Sequence, residues 1–419
     1  EDPDYRLLFS TKRMSSILIP VDVLRSIGDG SLDPSDSETL CDLGFLVPGP
    51  EEEKEEILGL FSKDHGSREF HAIVVLNLDC NLACRYCYEG TMKGKRYMSR
   101  ETADDLINFI EKYLAEGKNI SIDFYGGEPL LSSHTIKYIS AKLKASAGEK
   151  GLQFSFGLIT NGTLLTKERL ADLLPYGLKR AKITIDGKKE NHDISRPFTS
   201  GSGSFDIIIR NLKDAGGKVT IQLGGNYLRD NYLDFPPLLD HLIENNLAND
   251  KLSIVKFDAV TKATSRYALP DFRDGSDSVN EPWLIESSLY LREEILKRGY
   301  ATSKMIPSPC SIEAKDDFVV YFDGTLYKCP AFIGLKELEV GNLKTGVKEY
   351  RGLYKLDDWR KEGCIECEYL PLCYGGCKFM KFLRAGSLDG VDCKKPYLDA
   401  TLETHVRQDL KYRQNHGDN

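Results

Sequence analysis

Between residues 72 and 300, short apolar runs alternate with stretches whose apolar residues recur every three or four positions. The runs predict strands near 72–78, 120–124, 153–159, 181–185, 219–223 and 252–257. The amphipathic stretches predict helices over 99–116, 133–147, 166–174, 204–215, 232–247 and 283–297. Six strand–helix units in succession imply parallel strands joined by right-handed crossovers. Six units without a seventh or eighth give an α/β fold that is an open, partial (β/α)6 barrel, with its chemistry expected in loops at the strands' C-terminal ends.

The two ends of the chain follow other patterns. Residues 5–11 and 15–20 read as a hairpin, 21–27 and 36–43 as short amphipathic helices, and 44–48 as a further strand. The acidic run Glu51–Glu56 reads as a solvated helix start, because acids favour helix N-termini. The polar, turn-rich stretch 261–282 is expected to be a surface loop covering the site. Beyond 305 the periodicity fades, and cysteine, glycine and aromatic residues replace repeated apolar runs. The expected organisation is a hairpin-plus-helix, winged-helix-like element over 1–70, the barrel over 71–300, a cysteine-rich domain over 301–395 and a C-terminal helix over 396–419.

Charge narrows the function. The chain of 419 residues carries a formal net charge of −8, with Lys and Arg scattered among acids, so no basic footprint for nucleic acid exists. No apolar run approaches the ~20 residues of a membrane helix, and Glu1-Asp2-Pro3-Asp4 does not read as a signal peptide. The expectation is a soluble cytoplasmic protein without nucleic-acid or membrane partners.

The chemistry lies in the cysteines. Of eleven, Cys41 stands alone, three fall at 80, 84 and 87, and seven lie between 310 and 393. An odd count speaks against complete disulfide pairing. Cys80-x3-Cys84-x2-Cys87 follows the first barrel strand, on a loop short enough for three thiolates to hold three irons of a cubane and leave the fourth open. A zinc site would need a fourth ligand at finger-like spacing, and none follows within thirty residues. Cys41 is expected to be a structural thiol on an apolar helix face.

With Tyr86 at the aromatic position, this trio resembles the C-x3-C-x-aromatic-C loop of the radical S-adenosylmethionine (SAM) superfamily. The resemblance implies a [4Fe–4S] cluster on Cys80, Cys84 and Cys87 that cleaves SAM to a 5′-deoxyadenosyl radical, which abstracts a substrate hydrogen. Further segments resemble the family in order along residues 72–260. Tyr125-Gly126-Gly127-Glu128-Pro129 resembles the motif that meets SAM's amino group, with Glu128 expected to accept from the ammonium. Asn161, in Thr160-Asn161-Gly162, is expected near ribose hydroxyls. Thr184, in Ile183-Thr184-Ile185-Asp186-Gly187, replaces the family's serine, and Arg196 stands where the family keeps an arginine for the SAM carboxylate.

The C-terminal cysteines resemble the SPASM domain of peptide-modifying radical SAM enzymes, matching C-x(9–15)-G-x4-C, then C-x2-C-x5-C-x3-C, then C. The resemblance assigns Cys310, Cys329 and Cys377 to one auxiliary [4Fe–4S] cluster and Cys364, Cys367, Cys373 and Cys393 to a second, making three clusters with the first. Some members carry an eighth cysteine; here the interval after Cys310 holds Glu313, Asp316, Asp317 and Asp323 instead. The first auxiliary cluster then has an iron open to a substrate thiol or to a carboxylate. The implied partners are a ribosomal precursor peptide, its leader held by the N-terminal element, and a flavodoxin- or ferredoxin-type reductant. The preferred reaction is thioether cross-linking of a substrate cysteine to carbon. Carbon–carbon cross-linking and an electron-transfer scaffold are the alternatives, as is formylglycine formation, whose enzymes characteristically carry Asp where Pro330 stands.

Overall fold

The computed structural model describes residues 3–63, 68–262, 274–307, 310–361 and 363–412. Positions 1–2 and 64–67 of the N-terminal element, 263–273 of the expected covering loop and 413–419 of the C-terminal helix lie outside the described residues.

The N-terminal element opens with the antiparallel hairpin β1 (Tyr5–Phe9) and β2 (Ser16–Pro20), followed by α1 (Val21–Asp29), α2 (Pro34–Asp42) and α3 (Pro50–Lys63). Asp33 caps α2 by accepting from Ser35 N–H at 2.9 Å. Two expectations fail here. Residues 44–48 form a turn and extended chain rather than a strand, because among the described residues no strand pairs with them. Cys41 is exposed, and Leu40 beside it fills the core instead, at 2% exposure. The element docks on the C-terminal region: Ile57 and Leu58 pack on Trp359 and Leu370, and Lys54 pairs with Glu366 at 2.8 Å.

The barrel follows as β3 (Glu69–Asn77), β4 (Asn119–Gly126), β5 (Phe154–Thr160), β6 (Leu178–Thr184), β7 (Thr220–Tyr227) and β8 (Ile254–Ala259). The connecting helices are α4 (Arg100–Ala115), α5 (Ser133–Glu149), α6 (Lys167–Leu173), α7 (Lys189–Ser195), α8 (Phe205–Ala215), α9 (Phe235–Glu244) and α10 (Pro282–Lys297). All six strands are parallel and pair in chain order. Val74, Ile122, Phe156, Ile183, Ile221 and Val255 are almost fully buried, facing a layer that includes Leu106, Ile139, Ile208 and Leu238 of the helices. The helix α7 has no counterpart in the apolar periodicity; its one buried side chain is His192.

The sheet runs on across residue 300. β9 (Asp317–Val320) adds in parallel to β3, and β10 (Thr325–Tyr327), β11 (Gly341–Asn342) and β12 (Gly346–Val347) continue it antiparallel, making ten strands with β8 at one end. The rest of the cysteine-rich region consists of short helices: α11 (Arg351–Tyr354), α12 (Asp358–Lys361), α13 (Leu370–Cys373) and α14 (Lys378–Ala385). The last helix, α15 (Lys395–Tyr412), packs on α10, where Arg292 pairs with Asp409 at 2.7 Å. Among the described residues no helix is long and apolar enough to cross a membrane.

Candidate active site at the barrel mouth

A cavity of about 570 Å³ opens at the C-terminal ends of the barrel strands. Cys80, Cys84 and Cys87 line it together, and Cys329 of the C-terminal set lines it too. None of these thiols is in a disulfide. Burial pushes Cys80 up to about 11 and Cys87 up to about 12, so holding them as thiolates requires bound cationic charge. Lys93 supplies part of that field: burial would lower its pKa, but Cys87, Cys80 and Cys84 outweigh burial and raise it. Among the described residues no three Cys, His, Asp or Glu side chains converge on a single metal ion. Three free thiols around one cavity, beside a lysine, fit a multi-iron group better than one tetrahedral ion.

Glycine brings the next loop against this one. A Cβ on Gly127 would lie 2.3 Å from Asp79 O and 3.1 Å from Cys80 Cβ, and one on Gly126 would lie 2.2 Å from Asn77 O. Only residues without a side chain allow β4 to end so close to the cysteine loop. Glu128 is fully buried, does not line the cavity, and accepts from Leu130 N–H at 3.0 Å, Asn161 N–H at 2.9 Å and Thr160 Oγ1 at 2.8 Å. Its carboxylate accepts from the protein's own donors and so fixes the loop after β5. That loop presents Asn161, whose Nδ2 donates to Asn81 Oδ1 at 2.9 Å and reaches Cys80 Sγ at 3.8 Å.

On the opposite side, Tyr86, Thr184 and Arg196 line the cavity. Arg196 donates from Nη1 to the Tyr86 hydroxyl at 2.7 Å, Asn226 Nδ2 donates to the same oxygen at 3.0 Å, and Tyr86 donates to Asp186. Asp186 also accepts from Asn226 N–H at 2.8 Å. Burial raises the Asp186 carboxyl, against the opposing pull of Arg196 and Tyr86. Arg196 Nε is buried without a partner, an unused donor beside the cavity of the kind an anionic ligand group satisfies. A second network holds this arginine. His192 Nδ1 accepts from Asp186 N–H at 3.1 Å, so the neutral ring carries its proton on Nε2, which donates to Ser204 Oγ at 2.9 Å. Ser204 Oγ in turn donates to Arg196 O at 2.7 Å, and burial keeps His192 well below the usual imidazole range.

Several lining residues carry chemistry that the motifs did not single out: Glu89, Lys182, Asn226 and Asp258. Burial raises Glu89 to about 7, and its Oε1 has no partner. Polar residues at the ends of strands predicted as apolar runs were the available signal for Asn226 and Asp258.

In the C-terminal region, the thiols of Cys310, Cys329 and Cys377 lie close enough to act on one another. Burial is the main cause that raises Cys310 and takes Cys329 to about 12, with the neighbouring thiols adding to it. Cys373, raised mainly by burial, is raised further by Cys393, while Cys364 and Cys367 share one turn closed by Cys367 N–H to Cys364 O at 2.9 Å.

The radical SAM superfamily profile matches residues 74–235. The chain carries a radical SAM domain. The match begins in β3 and ends where α9 begins, enclosing the cysteine trio, Gly126, Gly127, Asn161, Thr184 and Arg196. The radical SAM cyclopropyl synthase TigE of Paramaledivibacter caminithermalis is 23% identical over 80% of this chain and 74% of its own. A cysteine-type anaerobic sulfatase-maturating enzyme of Clostridium perfringens is 25% identical over 71% of this chain and 86% of its own. The solved anSMEcpe chain with bound AdoMet and Kp18Cys peptide superposes with a TM-score of 0.60 at 18% identity, covering 83% of this chain and 98% of that one. The likeness to that solved chain is one of fold.

Proposed function

We propose that this radical SAM protein is a peptide maturase that joins a cysteine sulfur of a ribosomal precursor peptide to a carbon as a thioether. The observation that carries the reading is the shared cavity: residues of the SAM-cleaving site and Cys329 of the C-terminal set line one space. Cys80, Cys84 and Cys87 would hold the SAM-binding [4Fe–4S] cluster. Cys310, Cys329 and Cys377 would hold the first auxiliary cluster, and Cys364, Cys367, Cys373 and Cys393 the second. When bound, these groups supply hydrogen abstraction by a 5′-deoxyadenosyl radical, a landing point for a substrate thiol and an acceptor for the remaining electron.

The chain's own residues bind, orient and exclude water. Arg196, fixed by Tyr86 and by the His192–Ser204 relay, would pair with the SAM carboxylate through its unpartnered Nε. Gly126 and Gly127 let backbone approach its amino group, while Asn161 and Thr184 offer hydrogen bonds to its ribose. Pro330 and Ala331 give the cavity wall beside Cys329 no proton acceptor at the position where formylglycine-forming enzymes carry Asp. Among the described residues neither strand of the hairpin β1–β2 pairs with a third strand, and the hairpin displays Leu18 at 63% exposure, which suits a leader segment adding as a strand. Leu18→Glu is expected to weaken binding of the full precursor and leave binding of a leaderless core unchanged. A cytoplasmic setting with a flavodoxin- or ferredoxin-type reductant completes the reading.

The test is tandem mass spectrometry of a cysteine-containing precursor after reaction with the reduced, SAM-loaded protein and alkylation. Each cross-link removes two hydrogens, about 2 Da, and one alkylatable thiol. Cysteines that stay fully alkylatable despite the mass loss would refute the thioether and indicate a carbon–carbon link. Formylglycine without any link between residues would indicate the sulfatase-maturing reaction.

A further inference from the structure

The barrel sheet ends at β8, whose outer edge has no neighbouring strand among the described residues. Strand alternation gives the direction of each backbone group. Val255 N–H points away from β7 and donates to Ala301 O at 2.9 Å, whereas Val260 N–H points inward to Tyr227 O at 2.8 Å. Phe257 and Ala259 share the parity of Val255, so their N–H and C=O groups point outward. The edge closes again just beyond: Ser276 N–H donates to Val260 O at 2.9 Å, and Lys262 N–H donates to Ser276 O at 2.8 Å. Gly275 presses so near that a Cβ there would lie 2.7 Å from Lys262 N. Between the Ala301 and Ser276 closures, the outward groups of Phe257 and Ala259 make no hydrogen bond among the described residues.

This open stretch borders the reaction chamber. Asp258, Ala259 and Val260 line the same cavity as the cysteine trio and Cys329. We infer that the core segment of the substrate peptide binds as an extended strand on the outer edge of β8 at Phe257–Ala259, extending the sheet across the open side of the partial barrel. The inference rests on the peptide-maturase reading and adds where and how the peptide is held. A free sheet edge is a template for backbone pairing, and nothing else in the described residues uses this one. Its alternate side chains would then enter the cavity while the backbone supplies a hold that does not depend on sequence. The window is short, so it fixes only one or two substrate residues, and side-chain specificity falls to the cavity.

The probe is a cysteine-containing peptide of roughly twelve residues, at about 3.3 Å per residue long enough to overrun the window, selected from a displayed random library for retention on the SAM-loaded holoenzyme. Hydrogen exchange at the Phe257 and Ala259 amides is expected to slow at least about tenfold when the peptide is added. Ala259→Pro removes one outward N–H without touching the β7 ladder and is expected to weaken the peptide at least about tenfold, whereas Ala259→Ser, which keeps the N–H, binds as the parent does. Should the proline variant lose iron or secondary structure, backbone N-methylation of the peptide replaces it, with methyls of one parity weakening binding and those of the other parity not. A peptide that is retained and modified without protecting these amides, and without parity in the methyl scan, would overturn the inference and leave the maturase reading standing. Amides already protected in the free enzyme would overturn it as well, because the chain itself would then cover the edge. If an enzyme that cleaves SAM retained no peptide, both would fall.

Discussion

The barrel and the cysteine-rich region solve the same problem, holding thiols in place, by different means. In the barrel, apolar side chains on long strands form a continuous core, Gly126 and Gly127 let β4 end against the cysteine loop, and the buried Glu128 fixes the loop after β5. After residue 310 the strands shorten to two to four residues, and the backbone is held instead by left-handed turns and buried amines. Tyr374, Gly375 and Gly376 have φ of 48°, 77° and 81° in succession. Lys378 Nζ donates to Gly390 O at 2.9 Å and Leu388 O at 3.2 Å, and Lys328 caps the carbonyls of Ala314 and Asp317. The buried acid of the barrel gathers loop N–H groups, and the buried lysines of the C-terminal region gather loop carbonyls. Where strand pairing ends, side chains must take over the backbone's hydrogen bonds.

The largest expected effect breaks the C-terminal side. An added Cβ on Gly376 would lie 1.8 Å from Asp392 O, so Gly376→Ala must move the chain between Cys373 and Cys377. A loss of about 4 kcal/mol or more is expected, read by chemical denaturation, with iron content falling below that of the parent while SAM binding persists. Next, Glu128→Ala in the barrel leaves Leu130 N–H, Asn161 N–H and the Thr160 hydroxyl without their acceptor and is expected to cost about 3 kcal/mol. Denaturation should report that loss, and SAM affinity should fall with it because Asn161 is displaced.

A third test turns on pH. Burial lowers His405 of α15 to about 4 from an ordinary 6.5, so the native state keeps it neutral where the unfolded chain protonates it. Its contribution to stability is complete above the unfolded value and is lost as pH falls through 6.5 towards 4. Between pH 7 and 5 the loss amounts to about 2 kcal/mol, which His405→Phe should abolish in pH-dependent denaturation curves. The smallest effect sharpens the barrel side. Tyr86→Phe removes the oxygen that Arg196 and Asn226 share and is expected to weaken SAM binding by about tenfold, measured by equilibrium dialysis, with iron content unchanged.

The strand–helix rhythm was legible because each barrel strand is an apolar run bounded by a turn; the six predicted strands fall within three residues of β3 to β8 at most ends. The hairpin was legible for the same reason, α1 and α2 from their amphipathic spacing and α3 from its acidic start. What the pattern missed was short or polar: α7 buries only His192, and β9 to β12 are too brief to show a period. Residues 44–48 look like a strand by composition and lack a strand partner among the described residues. Glu128 was found by its motif, but its protein partners Leu130, Thr160 and Asn161 were not, since the motif does not say which way a buried carboxylate turns.

By itself, the sequence determined the parallel order of the barrel and the position of the trio after its first strand, because alternation and spacing are properties of adjacent residues; the class of chemistry came from the trio's resemblance to the radical SAM loop. Only the tertiary structure decided that Cys329 shares the trio's cavity, that Tyr86, Asp186, Arg196 and Asn226 meet in one network, and that among the described residues no strand pairs with the outer edge of β8 beside them. Those relations join residues 40 to more than 200 positions apart, and they follow from how the sheet curves and where its last strand stops, which no local period encodes.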